Sequence, residues 1–485
     1  MNKVDSNRTG LRYAQEETLG VLPGSGVVWT PCEPNEYGDF GSEITTVART
    51  PINASRQRKK GVVVDLDASA GFTSDLTQTN LYDLLPGFFF ADWRKKAESL
   101  ATAVASGVAT VTSGGASFLA GDLAAGSGFG VAGNNAVHKV TASSGTTITA
   151  SGFSDEASPP AGAKLKRVGF EFAAGDLTVS VVSGVAGINA TVKDLTTLGL
   201  IPGEWVYIGG DAAGNNFAVT ANNGFARVKT VVAGRINFDK TTGTMAADSG
   251  TGKTIRLYTG DVLKNESDPD LIVVKSYQLE RSLSAAGLEY VVGCVPNQLT
   301  INMSTADKVT VDLAFVGIDS ETVAFGAEKA GTRPDIVEAP AFNTTSDFSR
   351  LRLESDNTGL ANFLMEASLV IDNGVTPLKA LANLGAFDVS IGDFAVSGDI
   401  TAYFSTLDAV TAVRENADAT FDFAFVKDGA GMLFDVPLAS LGNARLNVQK
   451  DQAIELPISQ EAAEHTTLHH TLLCSHFSYL PAVAG

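Results

Sequence analysis

Residues 299–315 read LTINMSTADKVTVDLAF, a stretch that few folds can accept. Leu299, Ile301 and Met303 alternate with Thr300, Asn302 and Ser304. After a TADK turn, Val309, Val311, Leu313 and Phe315 alternate with Thr310, Asp312 and Ala314. Side chains of a strand point to opposite faces with period two, so this is a long hairpin with one apolar and one polar face. The pattern recurs. Met365, Ala367, Leu369 and Ile371 alternate with Glu366 and Ser368; Phe387, Val389 and Ile391 with Asp388 and Ser390; Phe421, Phe423 and Phe425 with Thr420, Asp422 and Ala424. Strands of this kind belong to antiparallel sheets wetted on one side. The expected class is mainly β.

Two segments depart from the alternation and predict short helices. TNLYDLLPG from Thr79 would turn Leu81, Leu84 and Leu85 inward until Pro86-Gly87 ends it. VTPLKALANLG from Val375 has Thr376 to cap, Pro377 at the first position and Gly385 as a stop. Its Leu378, Leu381, Ala382 and Leu384 lie mainly on one face, which would cover a sheet. One or two short helices flanking a β-sandwich or barrel make an α+β arrangement.

A chain of 485 residues exceeds one ordinary core. Charge shows where it divides. Residues 1–99 carry 11 basic and 13 acidic side chains, residues 100–255 carry ten of each, and residues 256–485 carry 14 and 31. A neutral middle rich in Gly, Ala, Ser, Thr and Val therefore splits an acidic chain. Within it, NNAVHKVTASSGTTIT from Asn134 aligns with NNGFARVKTVVAGRIN from Asn222, and FLAGDL from Phe118 recurs as FAAGDL from Phe172. The two offsets disagree, so the duplication is weak. Each unit reads as strand, Asn/Gly turn, strand, turn, strand, a small β-sandwich (immunoglobulin-like) or a small barrel. The expected organisation is a discontinuous core of 1–99 and 256–485, with 1–60 as an N-terminal arm and loop. An all-β insertion, 100–255, forms one or two small modules.

Chemistry is harder to find. ADSGTGKT at 247–254 has the shape of a phosphate-binding loop, but such a loop needs a helix after it. The downstream IRLYTG is strand-like, so the segment reads as a turn. His465, His469, His470 and His476 gather near Cys474; on a helix, His465 and His469 could share a metal. LHHTLL reads as well as a strand, and spacing fixes no third ligand. Cys32, Cys294 and Cys474 lie too far apart to imply a disulfide framework or zinc site. NESDPD from Asn265 reads as an acidic loop. GxSxG and HExxH are absent, so no catalytic residue and no cofactor is assigned. No apolar leader and no run of ~20 apolar residues is present, which predicts a soluble protein made in a reducing cytoplasm, with no membrane partner. RQRKK, from Arg56 through Arg58, Lys59 and Lys60, precedes GVVVDLD. It meets acidic surface on a neighbouring copy or is simply solvated.

Several of these segments together carry a resemblance. SEITTVARTPINASRQRKKGVVVDLDASAGFTSDLTQTNLYDLLPGFF, YQLERSLSAAGLEYVVGCVPNQLTINMSTADKVTVDLAF, LVIDNGVTPLKALANLGAFDVSIGDFAVSGDITAYFS and TFDFAFVKD succeed one another in an order that resembles the major tail tube proteins of long, non-contractile-tailed bacteriophages. The likeness covers about residues 40–98 and 256–460 and rests on element order and patterned strands. It implies hexameric rings stacked into a hollow tube, tied by arms and loops. Such a tube encloses a tape-measure protein and later conducts double-stranded DNA, and it is located in the virion. The neutral middle would be an outward insertion, similar to the immunoglobulin-like decorations of some of these proteins. An acidic wall would let DNA slide, because it offers no cation to replace the counterions on phosphate. Asp312, Asp388 and Asp422 lie on polar strand faces and line either such a lumen or an outer solvated face. The rival readings are a capsid decoration or cell-surface protein built from β-modules, and an enzyme using the Gly-rich middle.

Overall fold

The alternating segments form the longest hydrogen-bonded array of the chain. The computed structural model describes residues 3–52, 54, 57–356, 358–361 and 363–485. Seven strands carry the array: β1 Pro34–Arg49, β2 Lys59–Asp75, β3 Leu288–Ser304, β4 Thr310–Gly317, β5 Leu364–Asp372, β6 Ala395–Tyr403 and β7 Glu455–Ala462. They pair antiparallel in the spatial order β1-β2-β4-β3-β5-β6-β7. Register puts Ile301 between Val311 and Leu369, and Leu299 between Leu313 and Ile371. Apolar rows thus run across the strands on one face, as the alternation requires.

The strand Ala430–Asn443 links this array to a second layer. Its end pairs with β7, while its beginning pairs with Ala419–Lys427 and Leu473–Phe477. Phe348–Ser355 then adds to Ala419–Lys427. Leu299, Ile301 and Val311 share one buried cluster with Phe421, Phe423 and Phe434. The architecture is mainly β.

Both helix expectations need correction. Residues 79–84 are turns, and helix α1 runs over Leu85–Phe89, with Pro86 in its first turn rather than after its last. Proline is tolerated there because its missing N–H has no intrahelical partner. Reciprocal hydrogen bonds between Thr77 and Asn80 fix the preceding turn (Thr77 N to Asn80 Oδ1, 3.1 Å; Asn80 N to Thr77 Oγ1, 3.2 Å). The second segment is a small hairpin: Thr376–Lys379 pairs with Ala386–Ser390. Its leucines, including Leu378, Leu381 and Leu384, are exposed. A helix this short needs a packed face to persist, and none is offered here. A helix does form at α2, Asp408–Glu415, where Thr406 Oγ1 donates to Asp408 and Asn416 closes the end at φ 49°.

Twelve strands between Glu98 and Thr259 form a separate sheet. Six of them close into a ring. Glu98–Ala105 pairs with Val108–Val111, then in turn come Thr147–Ala150, Val137–Ser143, Asp122–Ser127 and Lys164–Glu171, which returns to the first. Such closure removes sheet edges and makes a small barrel, not an immunoglobulin-like sandwich. The other six repeat the plan from Leu177 to Thr259 and join the barrel where Arg256–Thr259 pairs with Lys164–Glu171. The offset carrying Asn134 onto Asn222 is the structural one. FLAGDL and FAAGDL precede strands that hold different places in the two units.

Candidate assembly surface

The face of the long array that turns away from the core is acidic. Over its paired half, β2 presents Asp65, Asp67, Ser69, Thr73 and Asp75. Alongside lie Thr310 and Asp312 of β4, Thr300 and Asn302 of β3, Glu366, Ser368 and Asp372 of β5, Asp399 and Thr401 of β6, and Glu455, Ser459 and Glu461 of β7. All are half-buried or exposed. Strands β3 to β7 contain no Lys or Arg at all. The cations that approach come from outside these strands: Lys308 reaches Asp75 at 2.7 Å, and Lys379 of the small hairpin bridges Asp65 and Asp67.

Asp312 sits within this face, accepting from Asn302 Nδ2 at 2.7 Å and from Thr73 Oγ1. Asp388 does not share it. It is exposed on the separate hairpin and accepts from the Val389 N–H at 2.8 Å. Asp422 is fully buried and pairs with Arg350, so it faces no solvent. Burial pushes its carboxyl up, and the Arg350 guanidinium pulls the other way. The alternation misled there because the second face of Ala419–Lys427 is covered as well. That cover is the twelve-strand unit. Trp205, Phe225, Leu123 and Val168 from it share one buried cluster with Ala424, Val426, Leu433 and Phe477.

Beyond this seam, the far half of the β1–β2 hairpin leaves the body with both faces open. Ile44, Val47, Val62, Val63 and Val64 stand about half exposed on it. Apolar residues on both faces of a two-stranded ribbon mark a surface meant for another chain. Arg58, Lys59 and Lys60 are exposed at the tip; Arg56 lies outside the described residues.

ADSGTGKT is a closing turn of the second unit. Asp248 bridges to Val179, and its carboxylate accepts from the N–H groups of Val219 and Gly250, both at 2.9 Å. Lys253 Nζ donates to the Ala213 carbonyl at 2.9 Å, and the chain enters strand Arg256–Thr259 with no helix between. The histidine cluster is a turn leading into Leu473–Phe477. Among the described residues, no three His, Cys, Asp or Glu side chains are placed to hold a metal. No described helix is long and apolar enough to cross a membrane.

Geometry of this kind defines a β-rich protein with an acidic sheet face and an exposed apolar hairpin. Comparison with known families agrees: residues 6–462 match the model for phage tail tube protein, and the chain belongs to that family. The family is structural, not enzymatic, and its members are tail components of the virion. Comparison with curated proteins returns no match.

Proposed function

We propose that this chain is the major tail tube subunit of a long, non-contractile phage tail, forming hexameric rings that stack into a hollow tube. The acidic face of β2 to β7 carries the reading. Six copies side by side would join these sheets into a continuous wall, protecting their edges and giving the lumen one sign of charge. Such a wall encloses the tape-measure protein and then passes double-stranded DNA without gripping it, since strands β3 to β7 supply no cation and the approaching Lys308 and Lys379 are paired to Asp75, Asp65 and Asp67. The exposed β1–β2 hairpin, with Arg58, Lys59 and Lys60 at its tip, would reach a neighbouring ring, and residues 1–60 would act as arm and loop. Residues 100–255, extended by the sheet pairing to 98–259, would face outward as a decoration on the discontinuous core of 1–99 and 256–485.

Electron microscopy of the purified protein tests this. The expected result is six-fold rings or tubes with a stain-filled channel; a monomer that persists under every assembly condition would sink the reading.

A further inference from the structure

At the seam between core and insertion lies a cavity of about 140 Å³ whose wall is cationic. Arg94, Lys95 and Lys96 enter it from the core side, and Arg167 from strand Lys164–Glu171 on the insertion side. Glu204 is the one carboxylate in the wall, and Lys96 holds it at 2.7 Å. Around the rim, Glu266 engages Arg94 at 2.7 Å, Asp122 lies 3.9 Å from Arg167, and Lys193 packs on the Phe170 ring. Lys95 approaches the Tyr82 ring.

Two features set this cluster apart from ordinary surface pairing. Arg167 is only 19% exposed, yet its guanidinium makes no hydrogen bond among the described residues, and 3.9 Å to Asp122 is too long for one. Its nitrogens keep access to solvent in the open pocket, so its donors are available to an acceptor that enters it. The cluster also stands in a chain of net charge −19, where local excess of cations is the exception. The pocket lining itself carries four cations and one carboxylate, an excess that an anion would offset.

We propose that this cavity binds a phosphate group, as free phosphate or as a terminal monoester. The guanidinium fork of Arg167 matches two oxygens of a tetrahedral oxyanion, and Lys95 supplies a point charge beside it. A pocket of about 140 Å³, open on one side, admits one phosphate group. Because Lys95 and Arg167 come from opposite sides of the seam, the bound anion ties insertion to core. The inference does not depend on how the subunit assembles.

The test is thermal unfolding and titration calorimetry of the full chain with inorganic phosphate, glycerol phosphate, acetate and chloride at matched ionic strength. Phosphate should raise the midpoint by about 2–4 °C over chloride, with acetate matching chloride. Arg167→Gln should lower phosphate affinity at least tenfold. Lys95→Gln, at an exposed position, should weaken it as well and serves should the first variant fold poorly. An equal response to glycerol phosphate supports a site open to a phosphate carried on a larger molecule. Response to inorganic phosphate alone supports a free-ion site. Phosphate acting no better than acetate or chloride, or variants responding like the parent, overturns the proposal.

Discussion

Arg227 Nη1 lies 3.0 Å from both carboxylate oxygens of Asp435, and both side chains are buried. One belongs to strand Gly224–Val232 of the twelve-strand unit, the other to strand Ala430–Asn443. Trp205 Nε1 donates to the same carboxylate at 3.0 Å, and Arg227 also holds Asp239. Removing one partner of such a pair leaves an uncompensated buried charge, at about 3–5 kcal/mol. Arg227→Gln should therefore lower the urea midpoint sharply. Arg227→Met combined with Asp435→Leu should recover only part of the loss: it removes both charges of the pair but leaves Trp205 Nε1 and Asp239 without their partners. An unchanged midpoint in the single variant would show that the seam does not lean on this pair.

The two six-strand units make a matched prediction. Asn134 Oδ1 accepts from Ser154 N at 2.9 Å, and its Nδ2 donates to Ser154 O at 3.0 Å. Asn222 does the same to Ala246, at 2.9 Å both ways. Neighbouring Asn135 and Asn223 clasp the backbones of Phe129 and Phe217 in the same fashion. Asn134→Ala and Asn222→Ala each strand a backbone donor and acceptor. Each should cost about 1–3 kcal/mol, read by denaturant unfolding. Costs that differ by more than that range would argue against equivalent units.

On the projecting hairpin, Val62→Asp and Val64→Asp should leave monomer stability within about 0.5 kcal/mol, because neither side chain packs on the core. Tube formation, tracked by light scattering and microscopy, should fail. Wild-type assembly by the double variant would release this hairpin from any role between subunits.

The acidic face gives the functional counterpart. Glu366→Lys with Asp399→Lys places two cations on strands β5 and β6, which carry none. Rings should still form. DNA release from assembled particles should slow, and more so at low salt, because phosphate would exchange counterions for these lysines. Release that is unaffected at every salt concentration would move this face to the outside of the tube.

The sequence made elements legible according to the physics of each signal. Period two is dictated by the strand itself, so Leu299, Ile301, Val311 and Leu313 fall where alternation puts them. The Asn134 and Asn222 repeats are local clasps, and local geometry survives in local sequence. Asp422 was illegible because its cover comes from more than a hundred residues away, and one polar residue in a strand does not announce a distant Arg350. The leucines from Leu378 looked helical because period 3.6 and a loose hairpin share spacings over so short a run. Helix α2 starts after Leu407 without a side-chain cap, so only its stop, Asn416 in the left-handed region, had a local signal. The cationic cavity had no signature, since Lys95 and Arg167 meet only after the seam closes.

Two buried histidines predict how the fold answers acid. His470 Nδ1 donates to the Leu468 carbonyl at 2.9 Å, and His476 Nε2 donates to the Gln78 carbonyl at 3.0 Å, its ring against Tyr82 and Trp93. Burial lowers both from 6.5, to about 3 for His470 and about 4 for His476. The folded chain therefore keeps both rings neutral while the unfolded chain protonates them below about pH 6.5. Their stability is whole above that pH and drains as pH falls toward 4, by up to about 1.4 kcal/mol per pH unit for each ring. Asp422 and Glu204, raised by burial, act in the opposite sense, so the total slope is a difference. Comparing variants isolates the ring: His476→Gln keeps a side-chain donor for the Gln78 carbonyl and removes the titration. Its urea-derived stability should fall less steeply than the parent's between pH 6 and 4.5, by about 1.4 kcal/mol per unit. Parallel slopes would mean that His476 is already charged in the folded chain.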